Sequence, residues 1–136
     1  MKKFDIKPMI DAIEIKLKNT KKPDSTGLFF SLDKMYYETH VSSYDRTGNL
    51  FIRTYNIFYS EDVFMIDINL DESIVLMYIE DVQSTEQRKG TLPIAATEEE
   101  FLQYQFIDDT FGIDFDTYQS IMRVYKLYED YVIGRY

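Results

Sequence analysis

Residues 50–82, LFIRTYNIFYSEDVFMIDINLDESIVLMYIEDV, decide the fold. β-Branched and aromatic residues crowd three segments, 50–59, 63–70 and 74–82, and the polar runs Ser60-Glu61-Asp62 and Asp71-Glu72-Ser73 separate them. That pattern predicts three consecutive antiparallel strands joined by tight turns. In the middle segment Phe64, Ile66, Ile68 and Leu70 alternate with Val63, Met65, Asp67 and Asn69. Successive side chains of a strand point to opposite faces, so one face is wholly apolar and the other turns polar toward its end. The apolar face requires a cover of helices.

Working toward the N-terminus, residues 35–44 predict a further strand, with Tyr36, Glu38, His40, Ser42 and Tyr44 on one face and Met35, Tyr37, Thr39, Val41 and Ser43 on the other. The odd-numbered side suits burial better. Asp45-Arg46-Thr47-Gly48-Asn49 supplies the hairpin turn into residue 50, and residues 28–32 form a candidate short first strand. In residues 5–19, Ile6, Met9, Ile10, Ile13 and Leu17 recur at the spacing of one helical face, with Pro8 in the first turn where it is tolerated.

Beyond residue 82 the chain is polar from 83 to 91, which reads as a connection rather than a strand, with Leu92, Pro93 and Ile94 anchoring its exit. Thr97 followed by Glu98, Glu99 and Glu100 is a capping box, and it predicts a helix to about residue 107 with Phe101, Leu102 and Phe106 inward. After the break at 108–116, with Asp114 or Asp116 as cap, a last helix over 117–133 stops at Gly134. Its apolar sector runs through Tyr118, Ile121, Met122, Tyr125, Tyr128 and Val132, widened by Val124, Leu127 and Tyr131, and is broad enough to touch both sheet and helix. The fold class is therefore α+β: one domain, 1–136, built as a four- to five-stranded antiparallel meander with an N-terminal helix and two C-terminal helices on one face.

A meander also sorts the turn charges. Glu61, Asp62, Glu80 and Asp81 share one end of the sheet, and Asp45, Arg46, Asp71 and Glu72 the other.

Several function classes are excluded or disfavoured by what the chain lacks. It has no cysteine and one histidine, His40, so a disulfide framework and a structural zinc site are both ruled out. Its five glycines are isolated at apparent turns or helix ends, so no phosphate-cradling loop exists. The acids of 108–116 invite a calcium reading, but Thr110 and Gly112 fall at the alternate positions where ligands belong and no glutamate stands at the twelfth. No metal or other cofactor is expected. The N-terminus lacks the apolar run of a signal peptide and no segment is long enough to span a membrane, so a cytoplasmic location is the default expectation.

With 136 residues the net charge is -9, and the chain carries 12 tyrosines and 10 phenylalanines. Acidity argues against direct nucleic-acid or anionic-membrane binding and for a basic protein partner, while tyrosine suits interfaces. The charge is also uneven. Residues 1–22 contribute +4, from seven lysines against Asp5, Asp11 and Glu14, whereas residues 90–116 hold seven acids beyond Gly90 and no further basic residue. Those acids, Glu98, Glu99, Glu100, Asp108, Asp109, Asp114 and Asp116, with Phe111 and Phe115 beside them, form the candidate partner-binding surface.

The expected function is a small non-enzymatic protein that engages and inhibits a basic partner, such as a nuclease or other nucleic-acid-binding protein. A phage-encoded inhibitor of a host defence nuclease, for example an anti-CRISPR, and a toxin-immunity protein both fit. A homodimer is compatible with the same residues. The alternatives are a small enzyme using carboxylate or histidine chemistry at Glu38, His40 or residues 108–116, and a housekeeping subunit of a larger assembly.

Overall fold

In the strands grown from residues 50–82, Leu50, Ile52, Phe64, Ile66, Ile68, Val75 and Met77 are each at most 1% exposed, so the apolar alternation does become the core face. The computed structural model describes residues 6–20, 28–34, 36–43, 48–57, 61–80, 87–103 and 113–133, with backbone alone at 34, 61–62, 79–80 and 87–89. Its elements are α1 (Lys7–Lys18), β1 (Phe29–Lys34), β2 (Tyr37–Ser42), β3 (Asn49–Asn56), β4 (Glu61–Asn69), β5 (Ile74–Glu80), β6 (Gln87–Leu92), α2 (Glu98–Leu102) and α3 (Phe115–Ile133). The strands form one antiparallel sheet in the order β1-β2-β3-β4-β5-β6. None of the described helices is long and apolar enough to cross a membrane.

The meander is wider than expected, with six strands rather than four or five. Residues 29–34 do form β1, and β6 occupies much of the stretch expected to be a connection. Its sequence, QRKGTL, has no apolar alternation, because an edge strand is held by backbone pairing on one side and only Leu92 of its described side chains is buried. Two other boundaries shift. Glu61 and Asp62 begin β4 rather than forming a turn, and α2 lasts only to Leu102, whose side chain is 67% exposed rather than inward. A helix of five residues turns barely once, so Phe101 alone takes the inner side. The expected Phe106 contact and the Gly134 stop lie outside the described residues.

Both long helices close the same face. Met9, Ile10, Ile13 and Leu17 of α1 join Tyr118, Ile121, Val124, Tyr128 and Tyr131 of α3 and the inward strand residues in one cluster. A fully buried side chain of this size contributes about 1.5–3 kcal/mol. Several polar atoms taken into this layer are paired. The Thr39 and Thr54 hydroxyls meet at 2.5 Å, Tyr128 Oη donates to the Asn49 carbonyl at 2.6 Å, and Tyr118 Oη donates to the Pro93 carbonyl at 2.5 Å while accepting the Ala96 N–H at 3.0 Å.

The seam between α1 and α3 is also polar at its rim. Arg123 Nε reaches both Glu14 carboxylate oxygens at 3.0 and 3.1 Å and Arg123 Nη2 donates to Ser120 Oγ, which in turn donates to Asp11 Oδ1. With both long helices committed to one side, no helix among the described residues covers the other side of the sheet.

Between β3 and β4 the register shifts after Thr54: Thr54 pairs with Phe64 but Tyr55 pairs with Asp62, which leaves Val63 as an extra residue. Such a bulge bends its strand and sharpens the local twist. At the opposite end Gly48 accepts a hydrogen bond from the Leu70 N–H, and a Cβ on Gly48 would sit 2.7 Å from Asp71 Oδ1. The β2–β3 and β4–β5 connections therefore touch there.

Ile66→Asp should unfold the protein. A carboxylate with no partner would enter a position 1% exposed, at a cost of several kcal/mol against a total domain stability of about 5–15 kcal/mol. The check is the cooperative melting transition by circular dichroism, which should be lost; an unchanged melting temperature would reject the register.

Candidate functional site

On the open face of the sheet the register stacks outward residues in three rows. Phe29, Ser42, Phe51, Asp67 and Leu76 form the first, Ser31, His40, Arg53, Met65 and Tyr78 the second, and Asp33, Glu38 and Tyr55 the third. Each is out of phase with the buried alternation, so the whole set faces away from the helices. Phe29 is 70% and Phe51 38% exposed, and a groove of about 590 Å³ runs over β2 to β5 between His40, Phe51, Arg53, Tyr55, Met65, Asp67 and Tyr78.

His40 is fixed on every side. Its Nε2 lies 2.5 Å from Glu38 Oε1 and its Nδ1 2.9 Å from Ser31 Oγ, while its ring stacks on Phe29 at 6.4 Å and meets Tyr55 at 5.3 Å. With the ring proton on Nε2, that nitrogen donates to Glu38 and Nδ1 accepts the Ser31 hydroxyl proton. This is the connectivity of a nucleophile, a base and an orienting carboxylate, and equally that of a rigid aromatic platform.

Asp67 is electrostatically different from the other acids of the face. It is half-buried between Phe51 and Leu76 in register, and Asn49 Nδ2 donates to its Oδ1 only at 3.5 Å. Burial pushes its carboxyl above the usual range; the Asn49 hydrogen bond opposes this and the nearby Glu72 charge adds to it. The guanidinium carbon of Arg53, on the same face, lies 5.7 Å from the centre of the Tyr55 ring, and the charge that acts on the Asp67 carboxyl is that of Glu72.

The acidic segment chosen from sequence lies elsewhere, beside the helices. Glu98, Glu99 and Glu100 are exposed in the first turn of α2, and Glu100 is engaged in the expected capping box, its N–H donating to Thr97 Oγ1 at 3.3 Å and its Oε1 accepting the Thr97 N–H at 2.9 Å. That backbone hydrogen bond holds its carboxyl below the usual range. Asp114 caps α3 by accepting the Thr117 N–H at 2.8 Å, which lowers its carboxyl likewise, and Asp116 is exposed. Phe115 is partly buried and packs on Phe101 at 5.7 Å and Tyr118 at 6.0 Å, bringing α2 against the start of α3. Asp108, Asp109 and Phe111 lie outside the described residues. Among the described residues no three His, Asp or Glu side chains converge on a point that could hold a metal ion.

Sequence reasoning passed over Phe29, Phe51, Arg53, Tyr55, Asp67 and Tyr78. The signal was present in β3, where Phe51, Arg53 and Tyr55 hold the outward positions opposite Leu50, Ile52 and Thr54, and a solvated face would carry small polar residues there. No known family model matches the chain, and no curated protein sequence matches it, so its function is argued from these side chains.

Asp67→Asn should stabilise the free protein at pH 7, modestly, within about 0.5 kcal/mol because solvent still screens the site. The folded carboxyl is raised, so folding disfavours its charge above that value, and the disadvantage disappears once pH falls below the unfolded value. Melting temperatures of the two proteins should accordingly differ at pH 7 and converge near pH 3, an estimate set by the reference carboxylate range.

Proposed function

We propose that this protein is a small acidic binding protein that docks on a basic protein partner through the open face of its sheet and inhibits it by occupying the surface it covers. The observation that carries this reading is the chemistry of that face. Phe, Tyr, Met and Arg are the residue types enriched at the centres of protein interfaces, and Phe29, Phe51, Tyr55, Met65, Tyr78 and Arg53 lie side by side there in a sheet backed by a packed core. A rigid backing keeps such a surface pre-organised, which reduces the entropy lost on docking.

Charge supports the nature of the partner. A net charge of -9 attracts a basic protein, and an enzyme that itself handles an acidic polymer, such as a defence nuclease or a toxin nuclease, carries the complementary surface. The exposed Glu98, Glu99 and Asp116 add to the long-range field, while the aromatic face supplies the contact.

The test begins with capture from the native host on immobilised protein, followed by kinetics with the recovered partner. Phe51→Ala and Tyr78→Ala together should weaken binding by about tenfold or more, mainly through faster dissociation. Glu98→Lys with Glu99→Lys should slow association and reduce its salt dependence. Unchanged dissociation in the first variant would move the contact surface elsewhere.

One specific observation favours a second reading. The Ser31–His40–Glu38 chain has hydrogen-bond distances of 2.9 and 2.5 Å, within the reach by which a base can activate a serine. Labelling of the wild type by a fluorophosphonate, lost in Ser31→Ala and His40→Ala, would establish it; no labelling would leave the trio as a platform.

A further inference from the structure

We propose that the groove around Asp67 is a receptor for one arginine side chain of the partner. The inference rests on the open face being the docking surface, and it names the group that face receives. Asp67 stands in the row Phe51, Asp67, Leu76, with Met65 two residues before it on the same face and Tyr78 beside the groove. An aromatic wall next to a carboxylate is the arrangement that holds a guanidinium, through its face by cation–π attraction and through its N–H groups by charge-assisted hydrogen bonds.

Three features separate Asp67 from an ordinary surface acid. It is half-buried, its described hydrogen bond to Asn49 is long at 3.5 Å, and among the described residues no cation pairs with it. Arg53, the arginine among the described residues that line the groove, is turned to Tyr55 instead. A cation entering the groove would therefore meet a charge that no described cation compensates, and the net charge of the chain draws cations toward it. Arginine is preferred over lysine because its flat, weakly hydrated guanidinium can stack on Phe51 or Tyr78 and donate to Asp67 at once, whereas an ammonium is a strongly hydrated point charge.

The probe is a capped glycine-rich peptide with a single arginine, titrated into the protein while backbone amide shifts are followed by nuclear magnetic resonance. Peptides carrying lysine or the uncharged isostere citrulline serve as comparators. The expected result is a set of shifts centred on residues 49–53, 65–69 and 76–78, with the arginine peptide bound at least about tenfold more tightly than the citrulline peptide and Asp67→Asn losing about the same factor. Phe51→Leu, which keeps apolar bulk, should fold normally and weaken arginine more than lysine.

Three results would overturn the proposal: shifts gathered at Glu98 to Glu100 and Asp114, equal affinity for the citrulline peptide, or concentration-dependent shifts of the same face without peptide. The last would place a second copy of this chain there. Captured partner that still depends on Phe51 and Tyr78 but not on Asp67 would remove the arginine receptor and keep the docking face. Peptide binding at Asp67 with capture indifferent to Phe51 and Tyr78 would do the reverse.

Discussion

Everything in this molecule depends on one constraint, that an antiparallel sheet has two faces and the two long helices both pack on the same one. The N-terminal helix and the last helix are drawn together by their own seam, where Arg123 holds Glu14 and Ser120 links it to Asp11. A polar seam of this kind contributes little net energy where it is exposed, but its geometry sets which helix faces meet. Because the seam keeps α1 and α3 side by side over Val41, Ile52, Ile66 and Val75, neither is available for the opposite face. The exposed aromatic rows follow from that choice and not from any peculiarity of the strands themselves.

Much of this was legible in sequence because the physics involved is periodic. Ile6, Met9, Ile10, Ile13 and Leu17 recur at helical spacing and all are buried; Phe64, Ile66 and Ile68 alternate and all are buried. Local capping chemistry was equally legible at Thr97 and Glu100, and at Asp114, since each cap depends only on residues within three positions of each other. What escaped was β6, because edge pairing uses backbone groups that every sequence possesses, and the short length of α2, because a good start signal says nothing of where a helix runs out of partners.

The open face escaped for a different reason. Along β3 the outward Phe51, Arg53 and Tyr55 alternate with Leu50, Ile52 and Thr54, and such a mixture of aromatic and charged side chains does not by itself tell a covered face from an open one. Only the position of the helices shows that, among the described residues, one side carries no helix. The same step distinguishes Asp67 from the many other acids of the chain. Its chemical identity is ordinary, and its difference arises from Phe51 and Leu76 across the strands, which are contacts of register rather than of sequence neighbourhood.

In the proposed function, charge and contact fall to different parts of the fold. Glu100 and Asp114 are exposed at the caps of α2 and α3, where backbone N–H groups hold their carboxyls below the usual range. Charges so placed act at long range through solvent and, under the proposed function, would govern how often a basic partner arrives. Asp67 is the opposite case, a carboxylate whose charge the fold disfavours and a cation on the open face would restore. In the free protein solvent screens that charge; under the proposed docking role a partner laid over the aromatic rows around Asp67 would exclude that water, and an ion pair formed there would count for more than one on the open surface.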